Sequence, residues 1–437
     1  MRSILLKDCS WIITMNPQNR ILKDRSLYIE DNVISILEKK EKVQADIIIN
    51  CKNKIVMPGL VNAHTHAPMS LFRGYAEDMP LEKWLREKIW PLEAKLRPED
   101  CYIGALLSII EMLKTGTVAF LDMYWYSEEI VKAAFTSGIR ALITFGMFDL
   151  GDPDRRDESL RQARSFIERS KNMCNGRIKV GLGPHAPYTC SREMLEAVRE
   201  LADKEKVPIH IHVAETRHEQ ADFEKKYGMR EIEYLEKIGF LGEDVSIAHG
   251  VWLSKEEIRK LAEYHVKVVH CPVSNLKVAV GGIAPVAEMI KTGVEVALGT
   301  DGAASNNSLD MFETMKLAAL LQKHQYWDPA ILPAWSILTV TIHGGNSVLN
   351  LPKACIRDGN PCDLIVLKAK QPHLIPVHSK ESLINNILYS ARGSDVDHVI
   401  IEGKLIVYNG RVLTVDEEEV MREAQETALS IIKRCQG

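Results

Sequence analysis

The chain has 437 residues, enough for more than one domain, with 46% hydrophobic and 26% charged residues, as in ordinary globular proteins. A formal net charge of -4 and the lack of any clustered basic run argue against nucleic acid or an anionic membrane as a partner. The nine cysteines include no Cys-x-x-Cys pair, the first thirty residues lack a signal-peptide pattern, and no run approaches 18 apolar residues. We therefore expect a cytoplasmic protein with free thiols.

The two ends of the chain have a β-rich pattern. Short apolar runs separated by turn residues, such as Ile4–Leu6 and Trp11–Ile13, predict short antiparallel strands over residues 1–57. The pattern returns after residue 352, where Asn409-Gly410 predicts a hairpin turn. We expect residues 1–57 and 353–437 to pair into one small domain, closed by a helix from Asp416 to about Arg434.

Between these ends, residues 58–352 alternate strand patterns with helix patterns, which is typical of a parallel sheet. The candidate strands are 59–64, 117–122, 139–145, 178–183, 207–213, 245–249, 266–270 and 294–299. Helices are predicted over Pro98–Lys114, Ser191–Lys206 and Ser254–His265, the last opening with a capping-box spacing from Ser254 to Glu257. Eight such units predict a closed (β/α)8 barrel, with an open doubly wound sheet as the alternative.

Ionisable residues follow several of these strands. Active sites of (β/α)8 barrels lie at the C-terminal ends of the strands. The residues found there are His64 and His66 (strand one), His185 (strand four), His212 and Glu215 (strand five), His249 (strand six) and Asp301 (strand eight). Each could be a solvated loop, turn or capping residue, and His210 is interpreted as a packing residue of the barrel interior. Their joint occurrence at strand ends predicts an active site.

The residue types at these ends suit hydrolysis at an sp² carbon. Three imidazoles (His64, His66, His212) and the carboxylate of Asp301 can hold one divalent metal, and such a metal lowers the pKa of a bound water towards ~7. Zinc is the preferred candidate and iron the alternative, because both accept imidazole and carboxylate ligands. Glu215 is placed to shuttle a proton, and His249 to hydrogen-bond the attacking water or polarise the bond under attack.

Four short elements resemble the amidohydrolase superfamily. They are His64-x-His66, His212-x-x-Glu215, Ala248-His249-Gly250 and Gly299-Thr300-Asp301-Gly302, in that order. The resemblance covers essentially the whole chain, and it implies a metal-dependent (β/α)8 barrel with a small β-sandwich built from both termini. The fourth strand does not end in a lysine, so the chain resembles the mononuclear branch.

Longer runs resemble the 5-methylthioadenosine/S-adenosylhomocysteine deaminase family. They are Pro58–His66, Leu81–Leu85, Gly183–Tyr188, His270–Lys277 and Gly299–Asn307. This resemblance implies hydrolytic deamination of 5-methylthioadenosine, S-adenosylhomocysteine, 5'-deoxyadenosine or adenosine to the inosine analogue and ammonia. It also implies catalytic roles for Glu215, His249 and Asp301.

The same resemblance suggests substrate contacts. Glu93 would accept hydrogen bonds from the ribose hydroxyls, since an ionised carboxylate is purely an acceptor. His185 would hydrogen-bond a purine nitrogen, and Trp84 would wall the pocket. Arg155 is the candidate for the homocysteine carboxylate, with Arg156 or Arg161 as alternatives.

Two rival functions remain on the sequence. The first keeps the chemistry but acts on a free base or a triazine, as a guanine deaminase or a chlorohydrolase would. The second is an inactive scaffold that binds partners, which the complete set of metal-ligand candidates argues against. The sequence leaves open whether the protein forms a homo-oligomer.

Overall fold

The structure is a computed structural model that describes residues 3–38, 43–171, 173–361 and 363–436. The strands are β1 (Ile4–Ile13), β2 (Ile21–Glu30), β3 (Val33–Leu37), β4 (Ile47–Asn50), β5 (Lys54–Pro58), β6 (Leu60–Thr65), β7 (Thr117–Tyr124), β8 (Arg140–Met147), β9 (Ile178–Pro184), β10 (Ile209–Val213), β11 (Val245–His249), β12 (Lys267–His270), β13 (Val296–Leu298), β14 (Leu364–Lys368), β15 (Val396–Ile401), β16 (Lys404–Tyr408) and β17 (Arg411–Val412). They form two sheets, one from the ends of the chain and one from its middle.

Helices connect the strands of the middle sheet. The α-helices are α1 (Leu81–Trp84), α2 (Trp90–Glu93), α3 (Pro98–Lys114), α4 (Ser127–Ser137), α5 (Pro153–Ser170), α6 (Arg192–Glu205), α7 (Arg217–Tyr227), α8 (Glu231–Lys237), α9 (Lys255–Glu263), α10 (Pro272–Lys277), α11 (Val286–Thr292), α12 (Ala303–Asn306), α13 (Met311–Tyr326), α14 (Ala334–Thr339), α15 (Gly345–Val348), α16 (Lys380–Tyr389) and α17 (Glu417–Gln436). Short 3-10 segments cover Ala67–Phe72, Met173–Gly176 and Gly393–Asp395, and π-helical turns cover Leu85–Ile89 and Val340–Gly344.

The terminal sheet joins both ends of the chain, because β5 pairs antiparallel with β14. Its order is β17-β16-β15-β14-β5-β1-β2-β3, with β4 also paired to β1. The expectation of antiparallel strands is confirmed for the pairing of β1 with β2, but it is wrong for the pairings of β1 with β4 and β5, which are parallel. The two runs expected as separate strands, Ile4–Leu6 and Trp11–Ile13, lie in this one strand, with an irregularity between Leu6 and Cys9. The hairpin turn at Asn409-Gly410 is confirmed, both residues having positive φ.

The central strands of the terminal sheet, β5 and β14, are buried on both faces. Side chains of a strand alternate between the two faces. In β5 and β14, Val56, Leu364 and Val366 belong to a separate core of this sheet. Their neighbours Ile55 and Ile365 belong to the core that includes the barrel. The sheet therefore has a core of its own and is fastened to the barrel by its other face.

The middle sheet is a barrel of eight parallel strands in sequence order, β6 to β13. Every predicted strand is present, with ends within two residues of expectation. Near the seam, the Asp301 N–H donates to the His64 carbonyl oxygen and the Thr300 N–H to Asn62 Oδ1, each at 3.0 Å. A Cβ on Gly299 would lie 2.8 Å from the Cβ of His64, so this close approach requires glycine. The predicted (β/α)8 barrel is confirmed.

Predicted helices also appear at their expected places. α3 has the predicted bounds, and the capping box of α9 is present: Ser254 Oγ accepts the Glu257 N–H at 3.1 Å, and Glu257 Oε2 accepts the Ser254 N–H at 2.8 Å. The C-terminal helix α17 is tied to α3 by an ion pair between Arg434 and Asp100 at 2.6 Å. Among the described helices, none is long and apolar enough to cross a membrane.

Candidate active site

The barrel brings four candidate metal ligands together at the C-terminal ends of its strands. His64 lies in β6 and His66 directly follows it, His212 lies in β10, and Asp301 follows β13. Asp301 Oδ1 lies 3.4 Å from His64 Nε2 and 3.3 Å from His66 Nε2, and His212 Nε2 lies 3.3 Å from His66 Nε2. Two bonds of about 2.1 Å at a tetrahedral angle would separate their ligand atoms by about 3.4 Å, so these three separations suit ligands of one ion, and the nitrogens of His64, His66 and His212 all lie within 4.8 Å of one another.

The outer nitrogens of the three histidines are already engaged. The contacts join His66 Nδ1 to Met123 O (2.5 Å), His212 Nδ1 to His185 O (2.7 Å) and His64 Nδ1 to His210 Nε2 (2.8 Å). A metal-binding imidazole typically donates its other N–H to such an acceptor, which fixes the tautomer. The inner nitrogen of His64 is buried and has no hydrogen-bond partner among the described residues. The inner nitrogens therefore face the centre as free electron-pair donors.

The electrostatics of the site favour neutral imidazoles. Burial lowers the pKa of His64 to about 4; the nearby Asp301 carboxylate opposes this effect, and the neighbouring histidines add to it. Burial also lowers the pKa of His212 well below its ordinary value, and the nearby His185 reinforces this. Metal binding requires the neutral form of histidine, so the burial of this cluster prepares it for an ion.

Asp301 is held rigidly. Its Oδ2 accepts hydrogen bonds from Ser274 Oγ (2.6 Å) and Ser305 Oγ (2.9 Å), and its Oδ1 accepts the Gly302 N–H (2.8 Å). These bonds leave Oδ1 directed at the histidines. Neither serine was predicted from the sequence as a site residue, although each lies in a run that carries the family resemblance, Ser274 in His270–Lys277 and Ser305 in Gly299–Asn307.

The proposed acid–base residues lie beside this cluster. Glu215 Oε1 is 3.8 Å from His249 Nε2, and His249 Nδ1 contacts Asn275 Oδ1 at 2.9 Å. The amide oxygen can only accept, so Nδ1 of His249 carries the ring proton and Nε2 faces Glu215. Burial, reinforced by the charge of Asp301, raises the pKa of Glu215 to about 8. A second group of possible ligand atoms includes His249 together with His64 and Asp301.

Glu93 lies at one side of the site. Its Oε1 accepts the Tyr124 hydroxyl at 2.7 Å, and Trp125 also hydrogen-bonds the carboxylate. The Tyr124 ring centroid is 6.2 Å from that of His66, which places Glu93 close to the histidine cluster. Burial raises the pKa of Glu93 against these hydrogen bonds. As a whole residue Glu93 is half-buried.

His185 and Arg155 lie on the same end of the barrel. The ring of His185 is tilted by 48° relative to that of His212, with centroids 4.9 Å apart, and its Nδ1 is 2.9 Å from Thr189 Oγ1. The Arg155 guanidinium lies 5.2 Å from the ring centroid of Phe148, which in turn packs against Trp125, the partner of Glu93. Arg155 is exposed at the start of α5.

The other arginine candidates and Trp84 are engaged elsewhere. Arg156 pairs with Asp157 at 2.9 Å, and Arg161 pairs with Glu158. Trp84 is buried in the main core, and its Nε1 donates to a backbone carbonyl oxygen at 3.1 Å. Its indole N–H is therefore not available to a substrate.

Comparison with known proteins agrees with this geometry. The model of the amidohydrolase family matches residues 55–406. The chain is 43% identical to the 5'-deoxyadenosine deaminase of Methanosarcina acetivorans over the full length of both proteins. It is 44% identical to the 5-methylthioadenosine/S-adenosylhomocysteine deaminase of Syntrophomonas wolfei, covering 98% of this chain and 99% of that one. A zinc-bound adenosine deaminase from Xanthomonas campestris superimposes with a TM-score of 0.93 at 31% identity, covering 98% of both chains.

The barrel, its histidine cluster and these matches define a metal-dependent hydrolase scaffold. The chain belongs to the amidohydrolase family.

Proposed function

We propose that this chain is a deaminase of adenosine-type nucleosides that uses one divalent metal ion, zinc by preference, and acts in the cytoplasm. The observation that supports this most is the set of inward-facing donor atoms of His64, His66, His212 and Asp301 beside a buried glutamate, Glu215. The high identity to relatives named as deaminases of such nucleosides supports the same substrate class.

The proposed reaction replaces the amino group on C6 of the purine by oxygen. When bound, the metal lowers the pKa of a water so that it can add to C6 at neutral pH. His249 and Asp301 accept hydrogen bonds from this water and orient it. Glu215 carries one proton from the water to N1 and then a second to the amino group. The C6–N bond breaks, ammonia leaves, and the inosine analogue remains.

The nucleoside would be recognised by groups around this centre. Glu93, half-buried beside Tyr124, would accept hydrogen bonds from the two ribose hydroxyls. His185, whose Nδ1 lies 2.9 Å from Thr189 Oγ1, would hydrogen-bond a purine nitrogen.

The substituent at the 5' position would lie towards Arg155. Its guanidinium stacks on Phe148, whose ring contacts Trp125 next to Glu93. Arg155 would bind the carboxylate of an S-adenosylhomocysteine tail, while 5'-deoxyadenosine and 5-methylthioadenosine would not need it.

The direct test is an ammonia-release screen of the zinc-loaded protein. Its substrates are adenosine, 5'-deoxyadenosine, 5-methylthioadenosine, S-adenosylhomocysteine and guanine, with a chlorotriazine as a further arm. We expect release from the nucleosides only. Turnover of guanine or of the triazine alone would show the free-base rival to be correct. A protein that holds zinc but turns over none of these compounds would indicate an inactive scaffold.

A further inference from the structure

A chain of hydrogen bonds runs from His64 into the barrel interior. His64 Nδ1 is 2.8 Å from His210 Nε2, and His210 Nδ1 is 2.7 Å from Ser246 Oγ. The Ser246 hydroxyl is positioned to donate to the carbonyl oxygen of Ile209 at 3.3 Å. His210 is 0% exposed and Ser246 4%, so water does not compete for these contacts. His210, interpreted from the sequence as a packing residue, thus directly contacts a candidate metal ligand.

The positions of the protons in this chain of hydrogen bonds follow from its last member, the bond from Ser246 to the Ile209 carbonyl oxygen. A carbonyl oxygen can only accept, so the Ser246 hydroxyl proton points to Ile209 and its Oγ accepts the Nδ1–H of His210. The Nε2 of a neutral His210 is then an acceptor, and it takes the Nδ1–H of His64. The remaining nitrogen of His64, Nε2, keeps a free electron pair facing the site, in agreement with its lack of a hydrogen-bond partner among the described residues.

Reversing the direction of these hydrogen bonds would prevent His64 from binding a metal ion. If Ser246 donated to His210 Nδ1, the proton on His210 Nε2 would face His64 Nδ1. His64 would then have to carry its own proton on Nε2, where a metal must bind. The hydrogen bond from Ser246 to the Ile209 carbonyl oxygen favours the competent direction over the reversed one.

We propose that His210 and Ser246 are positioning residues that fix the metal-binding tautomer of His64. The proposal rests on the metal site of the proposed function, and it assigns a role in metal retention to two residues that touch neither metal nor substrate. A packing role alone would need only bulk at these positions. The arrangement instead gives both ring nitrogens of His210 a polar partner, as a buried polar side chain requires.

The test measures zinc affinity by competition with a chromophoric chelator, in the full-length protein and without substrate. Ser246→Ala removes the acceptor for His210 Nδ1–H, and His210→Phe keeps the ring shape but removes the acceptor for His64. We expect both variants to lose about 10- to 100-fold in zinc affinity, the usual effect of losing such an outer partner. Ser246→Thr, which retains the hydroxyl, should restore most of the affinity.

Ser137→Ala is the matched control, because Ser137 is also buried and its hydroxyl donates to the Ala134 carbonyl oxygen of its own helix, away from the histidine cluster. Thermal unfolding of the zinc-free proteins separates folding from metal retention, and we expect Ser246→Ala and Ser137→Ala to unfold at similar temperatures. Zinc affinity of Ser246→Ala within twofold of the wild type, or an equal loss in Ser137→Ala, would overturn the proposal. Since no substrate is used, this result is independent of whether the protein deaminates nucleosides.

Discussion

Glu231, which has no solvent-exposed surface, accepts the backbone N–H of Ala214 through its Oε2 at 2.7 Å. Ala214 has a positive φ of 56° and directly precedes Glu215. The next two N–H groups, of Glu215 and Thr216, are accepted by Oε2 of Glu219 at 3.1 and 3.0 Å. Two buried carboxyl groups therefore hold the turn that carries the proposed proton shuttle.

Replacing Glu231 tests this support. Burial, reinforced by the charge of Glu219, raises the pKa of Glu231 well above its ordinary value, which favours the neutral carboxyl, a group similar in shape to an amide. Glu231→Gln should therefore keep turnover and stability close to wild type. Glu231→Ala leaves the Ala214 N–H buried without a partner, and we expect it to lower both kcat and the free energy of unfolding, the latter by about 1–3 kcal/mol. Ammonia release and urea unfolding measure the two effects. A wild-type kcat in Glu231→Ala would show that Glu231 is not needed to hold Glu215 in place.

The second prediction concerns Glu215 itself. Glu215→Gln keeps the shape of the side chain but cannot shuttle a proton, so kcat should fall by about 100-fold or more while zinc remains bound. Ammonia release and metal content measured on the same sample separate the two effects. Glu224→Gln is the control, because Glu224 is an exposed residue of the following helix. Near-wild-type turnover of Glu215→Gln with zinc bound would rule out this residue as the shuttle.

The third prediction concerns Glu93 and the sugar. Glu93→Ala should lower kcat/KM for adenosine by about 10- to 100-fold, as expected when hydrogen bonds to a charged group, worth about 1.5–3 kcal/mol, are lost. In the wild type, 2'-deoxyadenosine should be a poorer substrate than adenosine. In Glu93→Ala that difference should disappear, because the partner of the 2'-hydroxyl is gone. If the preference for adenosine over 2'-deoxyadenosine persists in the variant, a residue other than Glu93 binds the 2'-hydroxyl.

The fourth prediction is a pH dependence of stability from His270. This histidine lies at the end of β12, is 1% exposed, and has no hydrogen-bond partner for either ring nitrogen among the described residues. Burial, with a smaller contribution from His249, lowers the pKa of His270 from 6.5 to about 3. The folded state thus keeps His270 neutral, whereas the unfolded chain takes up a proton below pH 6.5. The resulting stability is complete above pH 6.5 and is lost progressively as the pH falls towards 3.

His270→Phe removes this group while keeping a ring. Between pH 6 and pH 4, the free energy of unfolding should fall less steeply with decreasing pH in the variant than in the wild type. The difference between the two slopes should be at most about 1.4 kcal/mol per pH unit, the contribution of one titrating group. Urea unfolding of the zinc-free proteins at several pH values measures the slope. Identical slopes for the two proteins would show that His270 does not stay neutral in the folded state.

Much of the fold followed from local sequence patterns. The alternation of strand and helix patterns predicted all eight barrel strands, and two residues, Asn409 and Gly410, were enough to predict the hairpin turn. The direction in which strands of the terminal sheet pair could not be predicted in the same way. β1 runs parallel to β4 and β5, and this parallel pairing depends on how distant segments of the chain are connected. Glu219 could have been found, since the spacing from Thr216 to Glu219 is a capping box.

The sequence alone determined which residues lie at the ends of the barrel strands. The alternation of side chains along a strand and the alternation of strands with helices are both local properties of the sequence. Residues two apart on one strand share a face, and the position of His212 nearer the C-terminal end favoured it over His210 as the ligand, but the sequence did not predict any contact of His210 with the site. Only the tertiary structure decided that His212 faces the other candidate ligands while His210 contacts the back of His64. The choice depends on the stagger of neighbouring strands around a closed barrel, which sets the depth of each side chain relative to chain segments far away in sequence.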